Sequence, residues 1–166
     1  MSESREADSR EMRGEVGDVS AHSLTIRQGA ARTVTAHEVA MRQGGIVRAD
    51  AQDIGVTQGA VGVATAETLH LTAGAAGAVF AERAVFEQSM ARVVVARGHV
   101  EMDQAAGGIV AAGSVNVRDS AIGLLVTSRF EGEGARVLVG PRAAFAFGAG
   151  IGLVLTAVKL LRRAGR

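Results

Sequence analysis

Read from Leu24 onward, apolar and small residues fall into columns that recur every fifteen positions. Leu24, Val39, Ile54, Leu69 and Ala84 share one column. Two positions on stand Ile26, Met41, Val56, Leu71 and Phe86. A third column holds Gly29, Gly44, Gly59, Gly74 and then Ser89, and a fourth holds Ala36, Ala51, Ala66, Ala81 and Ala96. A fixed period of this kind marks a stacked repeat, in which each unit buries its apolar side against its neighbours. One extra residue enters at Arg97-Gly98-His99, and the register resumes at Val100 and Met102, Val115 and Val117, and Phe130 and Gly132. Gly98 beside the insertion suits a bulged corner. Backwards, Gly14, Val16, Val19 and Ala21 match the second half of a row, so the repeat is expected over 14–140, about eight coils.

Within a row the small or apolar positions are spaced two, three, two, three. Val39 and Met41, Gly44 and Ile46, and Ala49 and Ala51 form one such row. A spacing of two puts both side chains on one face of a strand. A spacing of three carries the chain round a corner. The pattern predicts an all-β, three-sided single-stranded β-solenoid (β-helix) with fifteen-residue coils, stacked ~4.8 Å apart into a rod on the order of 40 Å long. A four-sided pentapeptide coil would repeat after twenty residues, which these columns do not.

The pattern changes after Pro141-Arg142. From Ala143 to Val158 no residue is charged, and with the stem of Lys159 the apolar stretch reaches Leu161. As a helix, 143–161 would measure roughly 28 Å, about one hydrocarbon core. One C-terminal transmembrane α-helix is therefore expected, with membrane lipid as its partner. Ala144, Gly148, Gly152 and Thr156 would lie on one helix face as a small-residue packing surface. The chain divides into a solvated, disordered tail (1–13), a solenoid (14–140), and an anchor helix with a basic end (141–166).

Arg162, Arg163 and Arg166 would hold that end in the cytoplasm by the positive-inside tendency. The first residues, however, contain no apolar signal core, which argues for keeping the solenoid in the cytoplasm. The second argument weighs more, since exporting a whole domain is the larger task. The expected location is a membrane-anchored rod on the cytoplasmic side.

Composition narrows the chemistry. The formal net charge is +1, so no global basic field calls for nucleic acid. There is no cysteine, hence neither a disulfide framework nor a thiolate nucleophile. Aromatics are only 3% while glycines number 22, which suits a thin core filled by small and β-branched residues. His22 and His37 share a corner column and should stack, but no third His or Cys joins them as a metal set. Gly148-x-Gly150-x-Gly152 lacks the strand–helix setting of a dinucleotide site. The eighteen-residue coil and long loop of left-handed β-helix acyltransferases are absent, and Thr33-Val34-Thr35 occurs once rather than as an ice-binding rank. No enzyme activity, cofactor, metal or small-molecule substrate is expected. Gln28, Gln43, Gln58, Gln88 and Gln104 align at a corner, interrupted by Ala73, as a structural amide ladder.

One surface stands out. The middle residue of the third strand points inward at Val79, Val94, Val110 and Leu125, so its neighbours should point out. In early coils these are Thr33 and Thr35, then Arg48 and Asp50. Later they are Ala78 and Phe80, Val93 and Val95, Ile109 and Ala111, and Leu124 and Val126. That makes an apolar outer stripe about four coils long, expected to be a self-association face of a homo-oligomer.

The alternation in Gly59-Ala60-Val61-Gly62-Val63 and Gly107-Gly108-Ile109-Val110 resembles that of bactofilins, bacterial cytoskeletal proteins. The resemblance covers 14–140 and is architectural. It implies a triangular β-helix and a polymer-forming role, with two departures: a shorter coil, and an apolar segment at the C-terminal end that would crowd one end of the rod. Two functions follow. One is a membrane-anchored, self-associating scaffold with a cytoskeletal or envelope-associated role. The other is a rigid binding module displaying a face to a protein or envelope polymer.

Overall fold

The computed structural model describes residues 9–139. The expected anchor helix, with Ala144, Gly148, Gly152 and Thr156, lies outside the described residues, as do residues 1–8.

All regular structure among the described residues is β, and every recorded strand pair is parallel. The elements are β1 (Ser9–Ser20), β2 (Ser23–Thr35), β3 (Glu38–Met41), β4 (Gly44–Asp50), β5 (Asp53–Thr57) and β6 (Gly59–Thr72). They continue with β7 (Ala75–Glu87), β8 (Met90–Asp103), β9 (Ala106–Arg118), β10 (Ala121–Glu133) and β11 (Arg136–Val139). The long strands run through corners, so β7 pairs along its whole length with β6 on one side and β8 on the other.

Successive coils open at Ser9, Ser23, Glu38, Asp53, Thr68, Arg83, His99, Ser114 and Arg129, the last of them incomplete. Leu24 lies opposite Val39, Val39 opposite Ile54, and Ile54 opposite Leu69, so the fifteen-residue period is the pairing register itself. The inserted residue appears as a register shift: Ala81 pairs with Ala96, but Arg83 pairs with His99. A second irregularity lies in β1, where Met12 pairs with Ile26 and Arg13 with Gln28, making the first coil one residue short. β1 begins at Ser9, within the segment expected to be a solvated tail, and is paired with β2 from that residue on.

The core follows the columns. Leu24, Val34, Val79, Ala84, Phe86, Val94, Val100 and Leu125 are fully buried, while the corner positions Gly29, Gly59, Ala36, Ala51 and Ala66 are half-buried and Gly44 is exposed. Three inward pairs per coil, two apart within a pair and three apart between pairs, follow from three faces and three corners, and in the second to fourth coils four of the six positions are buried. The first face carries Leu24 and Ile26, the second Gly29 and Ala31, the third Val34 and Ala36, and their counterparts above.

The corner between the first and second faces changes conformation along the rod. At Gly29 and Gly44 φ is +152° and +138°, and a Cβ there would collide with the backbone of the preceding coil. From the fourth coil the positive φ moves one residue back, to Gln58, Ala73, Gln88, Gln104 and Asp119. The following position then no longer needs positive φ, and the column runs on as Ser89, Ala105 and Ser120, though a Cβ at Gly74 would still meet the Gly59 carbonyl oxygen at 2.5 Å. The Gln column forms two amide bonds, Gln43 Nε2 to Gln58 Oε1 at 3.3 Å and Gln88 Nε2 to Gln104 Oε1 at 3.4 Å.

The two buried serines of this column differ. Ser120 Oγ accepts from the Ala105 N–H at 2.9 Å and donates to the Arg118 carbonyl at 2.6 Å. Ser89 Oγ is buried with no partner. Ala105 occupies the same column, so alanine fits there. Ser120→Ala should destabilise the rod by about 1–3 kcal/mol, because it strands the Ala105 amide. Ser89→Ala should be neutral or stabilising, and chemical denaturation of the two variants checks this.

A second expectation tests the register. Val56 is 2% exposed and Thr57, one residue on, is exposed. Val56→Asp should lose at least ~4 kcal/mol, since an unpaired carboxylate enters a narrow core. Thr57→Asp should leave the thermal midpoint nearly unchanged.

Candidate interaction face

Strand alternation on the third face turns one residue in and its two neighbours out. In the fifth to eighth coils the inward residues Val79, Val94, Val110 and Leu125 are each fully buried. Their outward neighbours stack in two columns. One runs Val63, Ala78, Val93, Ile109, Leu124, and the other Thr65, Phe80, Val95, Ala111, Val126. Phe80 is 46% exposed, Val95 39%, Ile109 43% and Val126 49%. Ala78, Val93, Ala111 and Leu124 are half-buried. All eight expected residues thus lie together on one surface, and four of them carry most of its exposed apolar area. Val63, 37% exposed, extends it by a coil, a continuation not singled out in the sequence.

The second face beside it carries small outward residues apart from Met90, which is 60% exposed. Its outward column is Ala60, Ala75, Met90, Ala106 and Ala121. Between the two faces run Gly62, Gly77, Gly108 and Gly123, interrupted by Arg92. A Cβ at Gly77 would meet the Gly62 carbonyl oxygen at 2.5 Å, so the coils approach too closely there for a side chain in that direction.

The first face is the polar one. Arg83 and Glu87, Glu101 and Asp103, Arg118, and Glu131 and Glu133 lie along it. Thr72 Oγ1 donates to Glu87 Oε2 in the next coil at 3.3 Å. The C-terminal half of the rod is therefore polar on its first face and mainly apolar on the other two, apart from Arg92 and the residues at the corners.

Other candidates take less definite form. The His22 and His37 rings stack with centroids 4.9 Å apart, as their shared column requires. Among the described residues no three His, Cys, Asp or Glu side chains converge as a metal set. At the bulged corner an open groove of about 790 Å³ is lined by residues that include Glu82, Arg83, Arg97, His99, Ser114 and Arg129. His99 Nδ1 lies 2.9 Å from Ser114 Oγ across it. Sequence reasoning found the bulge but not this groove, which appears only when residues fifteen apart are brought side by side.

The class the fold defines is the parallel β-solenoid. Comparisons with protein-family models, with curated proteins and with solved structures find no match.

If the apolar face joins copies, charge placed on its exposed column should block association without unfolding the rod. Val95→Lys with Val126→Glu leaves net charge unchanged and touches no core position. Self-association should weaken by roughly 1,000-fold, as for losing two interface hot spots, with an unchanged far-ultraviolet spectrum and melting point. Analytical ultracentrifugation measures the first and circular dichroism the second.

Proposed function

We propose that this protein is a membrane-anchored scaffold: a triangular rod held at a bilayer by residues 143–161, whose copies associate through the outer third face. The observation that carries the reading is the contiguous apolar surface over Val63, Phe80, Val95, Ile109 and Val126, with no described residue covering it. Soluble monomers rarely leave such a patch to water. A second support is the position of the last described residues. Val139 pairs with Leu124 on the third face, and in the sequence the uncharged stretch begins four residues later. An anchor there would stand close to the coils that carry the apolar surface. With no site for chemistry identified in the sequence, a rigid rod acts by holding things in place. The cytoskeletal role of the bactofilins is the analogy for such a rod on the cytoplasmic side of a membrane.

The groove at the bulged corner favours a second reading, a binding module. Three arginines and a histidine against one glutamate would receive an acidic polymer. A chain that stays monomeric at high concentration and binds such a polymer would put this reading first.

The anchor is tested by extraction. The full chain should float with vesicles and resist both high salt and alkaline carbonate, because its attachment is hydrophobic rather than electrostatic. The chain ended after Gly140 should be released. A full chain that is soluble and monomeric without detergent would overturn the anchor.

A further inference from the structure

The inference here rests on the anchored, self-associating reading above and specifies its geometry. We propose that two copies meet third face to third face, side by side and pointing the same way, related by a twofold axis that runs along the rods.

The first argument is polarity. Val139, the last described residue, pairs with Leu124 on the third face, and the apolar segment begins four residues later in the sequence. Copies held by that segment in one bilayer stand with the same end towards it. Side-by-side contact between them is then parallel, and of the twofold arrangements only an axis along the rods keeps both anchors at one end.

The second argument is self-complementarity. An axis along the rods keeps every coil at its own height and exchanges the two outward columns. The residue of one column then meets the partner's residue of the other column in the same coil. In the fifth coil Ala78 meets the partner's Phe80, and in the seventh Ile109 meets the partner's Ala111, so a large side chain faces a small one. In the sixth, Val93 meets the partner's Val95. Lower on the same face the third coil places Arg48 opposite the partner's Asp50, and by symmetry Asp50 opposite the partner's Arg48. Both are exposed, and they occupy the same two columns as the apolar pairs. The antiparallel alternative centred on the stripe opposes Phe80 to the partner's Val126 and leaves Arg48 and Asp50 beyond the contact. Opposite charges thus fall into pairs only in the parallel arrangement.

The third argument is area. Seven coils at ~4.8 Å and a face roughly 14 Å wide bury on the order of 900 Å² over both copies. That is short of the ~1,200–2,000 Å² of stable soluble complexes. Confinement to a membrane supplies common orientation and local concentration without new contacts. The face is sized to join anchored rods strongly and free ones weakly.

The absence of any cysteine makes the test direct. Full chains carrying single substitutions are mixed in phosphatidylcholine vesicles and oxidised. Val93→Cys mixed with Val95→Cys should form at least ten times more mixed disulfide dimer than Phe80→Cys mixed with Val126→Cys, given the short reach of that bond. The reverse ratio means antiparallel rods and overturns the proposal, and so does the absence of cross-links in both mixtures. In the first mixture, adding Arg48→Asp to both chains should lower the yield roughly five-fold, and adding Asp50→Arg as well should restore it. Loss without restoration shows that the two charges do not face each other and overturns the register. Flotation of the same samples reports the anchor separately. A chain that does not float fails the anchored reading, and the cross-link ratio then decides the face pairing in solution.

Discussion

Main-chain hydrogen bonds between one coil and the next are the constraint from which this molecule is built. A parallel ladder must bring residue i beside residue i + 15, and it continues even through corners, as where the Gln58 and Ala73 amides bond to the Thr72 and Glu87 carbonyls. Once that spacing is set, side-chain identity at each column is tested against copies of itself above and below. Large aromatics are redundant, because each layer has little volume and its ceiling is the next layer. Phe86 can be fully buried in such a core because its own coil has Ala84 beside it and Ala91 on the following face.

The same spacing makes the outer surface additive. A residue choice repeated in one column becomes a stripe, and a stripe becomes a face. Val63, Val93, Ile109 and Leu124 are ordinary β-forming residues taken singly. Stacked at strand spacing, with Phe80, Val95 and Val126 in the neighbouring column, they remove water-binding groups from a continuous surface. The polar first face holds the opposite composition through the same mechanism, so the rod has sides of different chemistry without any loop or insertion to create them.

This additivity explains what was legible in the sequence. The period, the core columns and the bulge at Arg97-Gly98 could be read because each is repeated or interrupts a repetition. The outward direction of the eight stripe residues followed from alternation. Their unequal exposure did not, since it depends on neighbouring bulk: Val95 stands out further than Val93 in the same strand. The first coil was hidden because Arg10 occupies the register position of Leu24, and a cation in an apolar column reads as the end of the pattern. The move of positive φ from Gly44 to Gln58 was equally hidden, because glutamine carries no strong signature of that backbone region. The groove at the bulge needed residues from five successive coils, which no local window contains.

The one-residue bulge has a consequence for how such a chain can change length. Between Arg13 and Ala96, removing fifteen consecutive residues would join two coils in phase, and the rod would lose a single layer with both outer columns still aligned. Across Arg97-Gly98-His99 the unit is sixteen, so a fifteen-residue excision there would rotate every later side chain out of its column. Genetic duplication and loss can therefore act on the N-terminal coils as interchangeable pieces. Beyond the bulge the coils again repeat at fifteen, from His99 to Ser114 to Arg129, so they too can be exchanged among themselves. The insertion divides the rod into two runs of interchangeable layers, and only the coil that joins them is tied to a unit of its own.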